Sequence, residues 1–541
     1  MTQTSAVRRR ALLGGIALIA TTASCSTDDR PADDAGAPPA CARPAAAAIA
    51  ARPVDGKPDD RDIASFDGTT IRAHWFRAAA ATAPTLLMGP GWGQTGETND
   101  PGDPGLRAPL GVAQMTARGY NVLTWDPRGF GSSGGTSSLN DPAHEGRDVA
   151  TLIDWVAQQP GVLLDAPGDP RMGMLGGSYG GSIQFVAAAA DCRIDAIAPS
   201  ITYNEYLTSL DKADTVKSGW LKLLIALGGP NLDPEMLDAQ ANWRATGTFS
   251  ADNVEFLRTR GLADLLPRIA VPTLLVQSTV DNLFTLDEAM QNFAALRARG
   301  VATQMIWYCG GHASCLTHVD DRARTENATL AWLDRWVKRD PAVELGPLVS
   351  IVDQRGATYH GDAYPFVAGE PVVAQGAGTL ALVAGGGSGP STAVPPGPDI
   401  SGLGRLFTGL SASRAANAVD VTIETGATAR LLVGAPRVAL RYSGTTADAA
   451  WPARVFAQLV DEATGLVVGN QVTPIPVTLD GAVHEVTAPL EAISFTADPG
   501  SRLVLQIVAA TVLYDRPPPG GSIELHDVRV ELPSVLDLLP G

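Results

Sequence analysis

The stretch Met174-Leu-Gly-Gly-Ser-Tyr-Gly-Gly181 decides how this chain is read. Its centre, Gly176-Gly-Ser-Tyr-Gly180, fits the pattern G-x-S-x-G. That pattern lifts a serine onto a sharp corner between a strand and a helix, with small residues where the backbone passes close to itself. Arg171-Met-Gly-Met-Leu175 reads as the strand and Ser182-Ile-Gln-Phe-Val-Ala-Ala-Ala-Ala190 as the helix, apolar enough to pack on a sheet.

Outward from this corner the pattern is strand–helix alternation. Apolar strand-like runs occur at Pro84–Gly89, Tyr120–Trp125, Ile194–Ala198, Val271–Val276 and Ala302–Tyr308. Helical patterns stand between them at 106–118, at Ala143–Gln158 with Asp141 as its cap, at Leu286–Ala298 and at Arg322–Val337. Such alternation predicts right-handed β-α-β units on a mainly parallel sheet, and buried parallel strands explain the near-continuous apolar runs. Ahead of them, Asp67-Gly68 between two strand-like runs predicts a hairpin. Residues 201–268 interrupt the alternation with helical patterns such as Trp220–Ala226 and predict a cap over the active-site end. After residue 345 short strands and turns take over, for example Arg437–Tyr442 and Arg502–Ala509, which predicts a β-sandwich with a flexible loop at 384–398. The expected fold class is thus α/β with a helical cap, followed by an all-β domain. The expected division is a targeting segment at 1–25, a tether at 26–59, a catalytic domain at 60–345 and a sandwich at 346–541.

At 541 residues with 45% hydrophobic and 18% charged residues, the chain can bury two large cores. Its net charge of −17 excludes an extended nucleic-acid surface. Arg8-Arg-Arg10, the apolar run Ala11–Ala20 and Thr21–Cys25 form a basic, apolar and small-residue series, the layout of an export signal. The apolar run is too short to span a bilayer. Thr22-Ala-Ser-Cys25 resembles a bacterial lipobox, so Cys25 is the expected lipidation site and the lipid the expected membrane contact. Plain secretion is the alternative. If Cys25 is lipidated, the other four cysteines allow three pairings. A Cys309–Cys315 bridge would hold the loop around His312, with two free thiols as the alternative.

A serine hydroxyl needs a general base, normally His, and an acid that orients that His. On this kind of fold the chain order is Ser, then Asp or Glu, then His. Ser178 is the candidate nucleophile. Gln277-Ser-Thr-Val-Asp281 supplies a carboxylate just past a later strand, and Gly310-Gly-His312 a histidine past the next. Asp287 is the rival acid but lies inside a helical pattern. The backbone amides of Tyr179 and Trp92 are the candidate donors to an oxyanion. Asp126 and Arg128 are expected to brace loops. No metal or cofactor is expected.

Asp126-Pro-Arg-Gly-Phe-Gly-Ser-Ser-Gly-Gly135, Glu145-Gly-Arg-Asp148, Gly173–Gly181 and Ile194–Pro199 resemble the α/β-hydrolases, and more narrowly the X-Pro dipeptidyl-peptidase (S15) and cocaine-esterase-like group. The tail resembles that group's jelly-roll domain. The resemblance implies an acyl-enzyme mechanism with Ser178, Asp281 and His312 as nucleophile, acid and base. Where the group carries a Pro-Tyr pair, this chain has Gly89-Pro-Gly-Trp-Gly-Gln94, which favours a backbone donor at Trp92 over a tyrosine hydroxyl. The expectation is an exported serine hydrolase acting on a small ester, amide or short peptide, with esterase chemistry leading. An X-Pro dipeptidyl-peptidase is the alternative, and would need a carboxylate for the substrate amine, with Glu205, Asp211, Asp214 and Glu235 as candidates. A non-catalytic cell-envelope binding protein is the rival of another class.

Overall fold

The computed structural model describes residues 48–98, 110–317, 319–389, 409–447 and 451–541. The export segment, Cys25 and most of the loop expected at 384–398 lie outside these residues.

The larger sheet opens with three antiparallel strands, β1 (Ala51–Val54), β2 (Lys57–Ala64) and β3 (Thr70–Phe76), the last two joined through Asp67-Gly68. Its centre is β4 (Thr85–Gly89), β5 (Asn121–Trp125), β6 (Met172–Gly177), β7 (Ala196–Ser200), β8 (Thr273–Ser278) and β9 (Thr303–Tyr308). Then come β10 (Val349–Val352), β11 (Thr358–Gly361) and a closing strand, Leu539–Pro540. The order across the sheet is β1-β2-β3-β5-β4-β6-β7-β8-β9-β10-β11 and the closing strand. Pairing is parallel from β5 to β10.

Every residue of β4, β5 and β8 is buried, because helices cover both faces. Successive side chains alternate between the two layers. Leu87, Leu123, Met174 and Leu275 face α2 (Glu145–Val156), α3 (Tyr179–Ala190) and α8 (Leu286–Ala298). Leu86, Val122, Leu175 and Leu274 face α1 (Val112–Ala117) and α9 (Arg322–Trp336). Between β7 and β8 stand α4 (Tyr206–Leu210), α5 (Ser218–Gly228), α6 (Pro234–Thr246) and α7 (Ala251–Arg258).

The tail holds two four-stranded antiparallel sheets. One orders Val372–Ala381, Ser522–Leu532, Arg437–Thr445 and His484–Pro489; the other orders Ala418–Glu424, Arg502–Val508, Arg454–Asp461 and Thr473–Pro476. Leu440 and Val530 of the first share one core with Val421 and Leu505 of the second.

Several boundaries differ from expectation. The larger sheet does not end at residue 345: β10 pairs parallel with β9, and the last strand of the chain returns to β11. Strand order between distant segments is a tertiary choice that local pattern does not carry. The tether expected at 26–59 includes β1, an edge strand whose Pro53 and exposed Arg52 hide it from an apolar pattern. The helix expected from Ala143 starts at Glu145, and Asp141 does not cap it; Asp141 instead accepts from the Ala143 N–H and His144 Nδ1. The strand expected at 194–198 begins two residues later, since the Asp195 carboxylate turns to accept from the Met172 N–H.

Candidate active site

Ser178, Asp281 and His312 follow β6, β8 and β9, so the parallel sheet delivers all three to the same end of its strands. Ser178 sits at φ 58°, ψ −116°, a backbone conformation that costs a non-glycine residue about 1–3 kcal/mol. Its surroundings hold it there. The Ser178 N–H donates to Ser200 O at 2.9 Å, and the N–H groups of Gly181 and Ser182 both donate to Ser178 O. The outer glycines of the motif are required by close approach: a Cβ on Gly176 would stand 2.5 Å from Gly89 O, and one on Gly180 only 2.0 Å.

His312 Nε2 is 2.7 Å from Ser178 Oγ, and His312 Nδ1 is 2.6 Å from Asp281 Oδ2. Asp281 is fully buried. Its Oδ2 also accepts from the His312 N–H, and its Oδ1 accepts from the N–H groups of Leu283 and Phe284. This acceptor-only pattern assigns the imidazole proton to Nδ1 and leaves the Nε2 lone pair facing Ser178. The His312 loop is bracketed by a Cys309–Cys315 disulfide. Asp287 is turned elsewhere: its Oδ2 accepts from the Ala492 N–H in the tail.

Tyr179 opens α3, and Pro90 O lies 2.9 Å from where a Gly180 Cβ would be, so the 89–92 loop presses on the first turn of that helix. Among the described residues, no backbone hydrogen bond engages the N–H of Tyr179 or of Trp92. The Trp92 indole is occupied otherwise, donating from Nε1 to Leu224 O of α5 and packing edge-on against Tyr179 and Phe130. Asp126 and Arg128 tie loops together. Asp126 accepts from the N–H groups of Gly96 and Ser132, and Arg128 donates to Asp148, Asp67 and Thr69.

The site's flanks are apolar. The rings of Phe284 and Trp220 stand edge-on to His312 at 5.2 and 5.8 Å, and Ile201 lies against Gly177 and Gly311. The hydrogen bonds of the Ser178–His312–Asp281 line run to none of the four candidate cap carboxylates. Asp214 and Glu235 are exposed, Glu205 faces Gly261 and Glu288, and half-buried Asp211 lies near Asp214 and Arg454. Among the described residues no group of three His, Cys, Asp or Glu side chains is placed to hold a metal ion.

Residues 67–314 match the family model described as X-Pro dipeptidyl-peptidase, S15 family. Over these residues the chain resembles the S15 family. The chain has the overall fold of a CocE/NonD family hydrolase from Staphylococcus aureus, with a TM-score of 0.61 at 13% identity over 91% of this chain and 97% of the other. An α-amino acid ester hydrolase is similar in the same way, with a TM-score of 0.56 at 17% identity over 91% of this chain and 98% of the other. Among curated relatives, Dipeptidyl-peptidase 5 of Porphyromonas gingivalis is 27% identical over 240 residues, which is 42% of this chain and 30% of that protein. The chain spans 29–41% of the length of the first curated relatives it matches.

A second network behind the elbow was not legible in the sequence. Buried Glu145 accepts from the Ser138 N–H at 2.6 Å and from Tyr179 Oη at 3.3 Å. Asn140 donates from its N–H to Tyr179 Oη and from Nδ2 to Tyr179 O. Burial, reinforced by Asp148 and Asp141, pushes the Glu145 carboxyl up to about 7. A raised carboxyl favours the fold in its protonated form. Its contribution is full below the usual value of 4.5 and is lost as pH rises through about 7, amounting to about 3 kcal/mol across that window. Glu145→Gln should therefore flatten the fall of unfolding free energy between pH 5 and 8. Urea titrations of both proteins at those two pH values check it, and an unchanged slope counts against it.

Proposed function

We propose that this chain is an exported serine hydrolase that cleaves an ester or amide through an acyl-enzyme on Ser178. The observation that carries this reading is the continuous hydrogen-bonded line Ser178–His312–Asp281 at the end of the parallel strands. Ser178 Oγ attacks the substrate carbonyl carbon while its proton passes to His312 Nε2. The oxyanion of the tetrahedral intermediate takes the N–H groups of Tyr179 and Trp92. As the intermediate collapses, the C–O or C–N bond breaks and His312 returns the proton to the leaving alcohol or amine. Water then attacks the acyl carbon, again losing its proton to His312, and collapse frees the acid and Ser178. Asp281 holds the Nδ1–H tautomer and stabilises the imidazolium that forms in each half-reaction.

The apolar flanks of Phe284, Trp220 and Ile201 support an ester of an uncharged acyl group. The S15 match and the dipeptidyl-peptidase relative favour a second reading, release of X-Pro dipeptides. That activity requires a partner for the substrate's α-amine, a role for which the four cap carboxylates are poorly placed. The basic and apolar segment ending at Cys25 supports export with a lipid anchor, and the Cys309–Cys315 bond fits an oxidising compartment. The test compares kcat/KM for p-nitrophenyl butyrate and Ala-Pro-p-nitroanilide, with fluorophosphonate labelling mapped by mass spectrometry. The ester should lead by at least tenfold, with the adduct on Ser178. A leading anilide selects the peptidase. Absence of both turnover and adduct selects the non-catalytic binding protein.

A further inference from the structure

The turn that carries Asp281 is gripped from two other parts of the chain. From the cap, buried Lys217 donates from Nζ to Asn282 O at 2.9 Å and to Leu283 O at 3.1 Å, and Trp220 Nε1 donates to Asn282 Oδ1 at 3.0 Å. From the tail, Gln471 Nε2 donates to the main-chain carbonyl of Asp281 itself at 2.6 Å, across 190 residues of sequence.

Gln471 is itself held in place. It follows the short turn Val468–Asn470, in which Gly469 and Asn470 both have positive φ. Gln354, in the loop after β10, fastens that turn with both ends of its amide: Oε1 accepts from the Gly469 N–H at 2.7 Å and Nε2 donates to Val467 O at 3.1 Å. Asn470 Oδ1 accepts from the Ala412 N–H at 2.6 Å. The same Gln354 accepts at its main-chain oxygen from Thr317 Oγ1, just past the His312 loop. Gln354, Asn470 and Gln471 are all buried.

We propose that Gln471 is a positioning residue for catalysis: beside the weaker hold of Leu410 O, which accepts from Asn282 Nδ2 at 3.1 Å, its amide grips the main chain of Asp281 itself and sets where Asp281 stands relative to His312. Asp281 spends all four of its side-chain hydrogen bonds on its own turn and on His312, so its position follows that of the turn's main chain. Gln471 is the tail's handle on that main chain. Small displacements at a catalytic hydrogen bond cost disproportionately in rate, on the order of 10²-fold for about 1 Å. The sandwich thus contributes to turnover without touching substrate. This inference rests on Asp281 being the acid of the proposed mechanism.

The test uses the full chain with Gln471→Met, which keeps the side chain's length and removes the donor, and Gln471→Glu, which keeps its shape and puts an acceptor against the carbonyl. Both should lower kcat for p-nitrophenyl butyrate by 10- to 100-fold with KM within threefold. The acid limb of the kcat/KM–pH profile should move to lower pH, because a poorly placed Asp281 stabilises the imidazolium less. Unfolding midpoints should stay within a few degrees of the parent. Unchanged kcat in either folded variant overturns the proposal. So does a fall in kcat with an unmoved acid limb, or failure of both variants to fold, since either makes Gln471 a structural strut. Failure of the underlying reading looks different: Asp281→Asn would then be as active as the parent whatever Gln471 does.

Discussion

Ser178→Ala should lower kcat on p-nitrophenyl butyrate by on the order of 10⁶-fold, the scale seen when a serine nucleophile is removed from an intact catalytic set. KM should move little, since the flanks formed by Phe284, Trp220 and Ile201 are untouched. Among the described residues, the only side-chain hydrogen bond lost is the one to His312 Nε2. The backbone strain at φ 58° is the same for Ala as for Ser, and the Ser200, Gly181 and Ser182 bonds that hold the corner are main-chain bonds. The variant should therefore fold with an unfolding midpoint close to the parent's, and fluorophosphonate should leave no adduct on it. Stopped assays with enough protein to detect residual turnover check the rate, and mass spectrometry checks the adduct. Activity within tenfold of the parent in the folded variant would remove Ser178 from the chemistry.

Asp281→Asn should lower kcat by about 10⁴-fold while leaving the fold in place. The size of the effect comes from the proton inventory at this residue. Oδ1 accepts from the N–H groups of Leu283 and Phe284, and Oδ2 from the N–H and Nδ1 of His312. An asparagine that keeps its oxygen on the first pair must present its NH₂ to His312. The imidazole then takes its proton on Nε2, facing Ser178 Oγ with a donor where a base is needed. The carboxylate that would stabilise the imidazolium is gone as well. The loss should fall on kcat, with KM within a few-fold. Steady-state kinetics between pH 6 and 9 test this, and a variant retaining a tenth or more of the parent's kcat would show that Asp281 does not orient His312.

Three features of the sequence carried far. The glycines around Ser178 announced a corner where β4 and α3 come too close for a Cβ, and Gly176 and Gly180 stand at those contacts. Runs such as Thr85–Gly89 and Thr273–Ser278, wholly buried, announced parallel strands. The spacing of Asp281 and His312 past two such strands was enough to nominate them, because a parallel sheet sends every strand's C-terminal end to the same side. In each case the information is local: a period, a turn, a distance along the chain from a strand's end.

What only the tertiary structure decided is which distant segments meet. Nothing local in Val349–Val352 or Leu539–Pro540 distinguishes a strand of the larger sheet from one of the sandwich, so the boundary placed at residue 345 missed them. Glu145 read as part of the helical pattern Ala143–Gln158, and its place under Tyr179 follows from how α2 packs against α3. Lys217 and Gln471 carry no sequence signal for the Asp281 turn, because a hydrogen bond to a main-chain carbonyl requires only a donor of the right reach and no particular partner residue. The sequence by itself determined the corner, the parallel core and the order of the three candidate catalytic residues. The tertiary structure decided their distances and which cap and tail side chains reach the turn of Asp281, since those depend on the packing of elements that the chain's local pattern leaves free to pair.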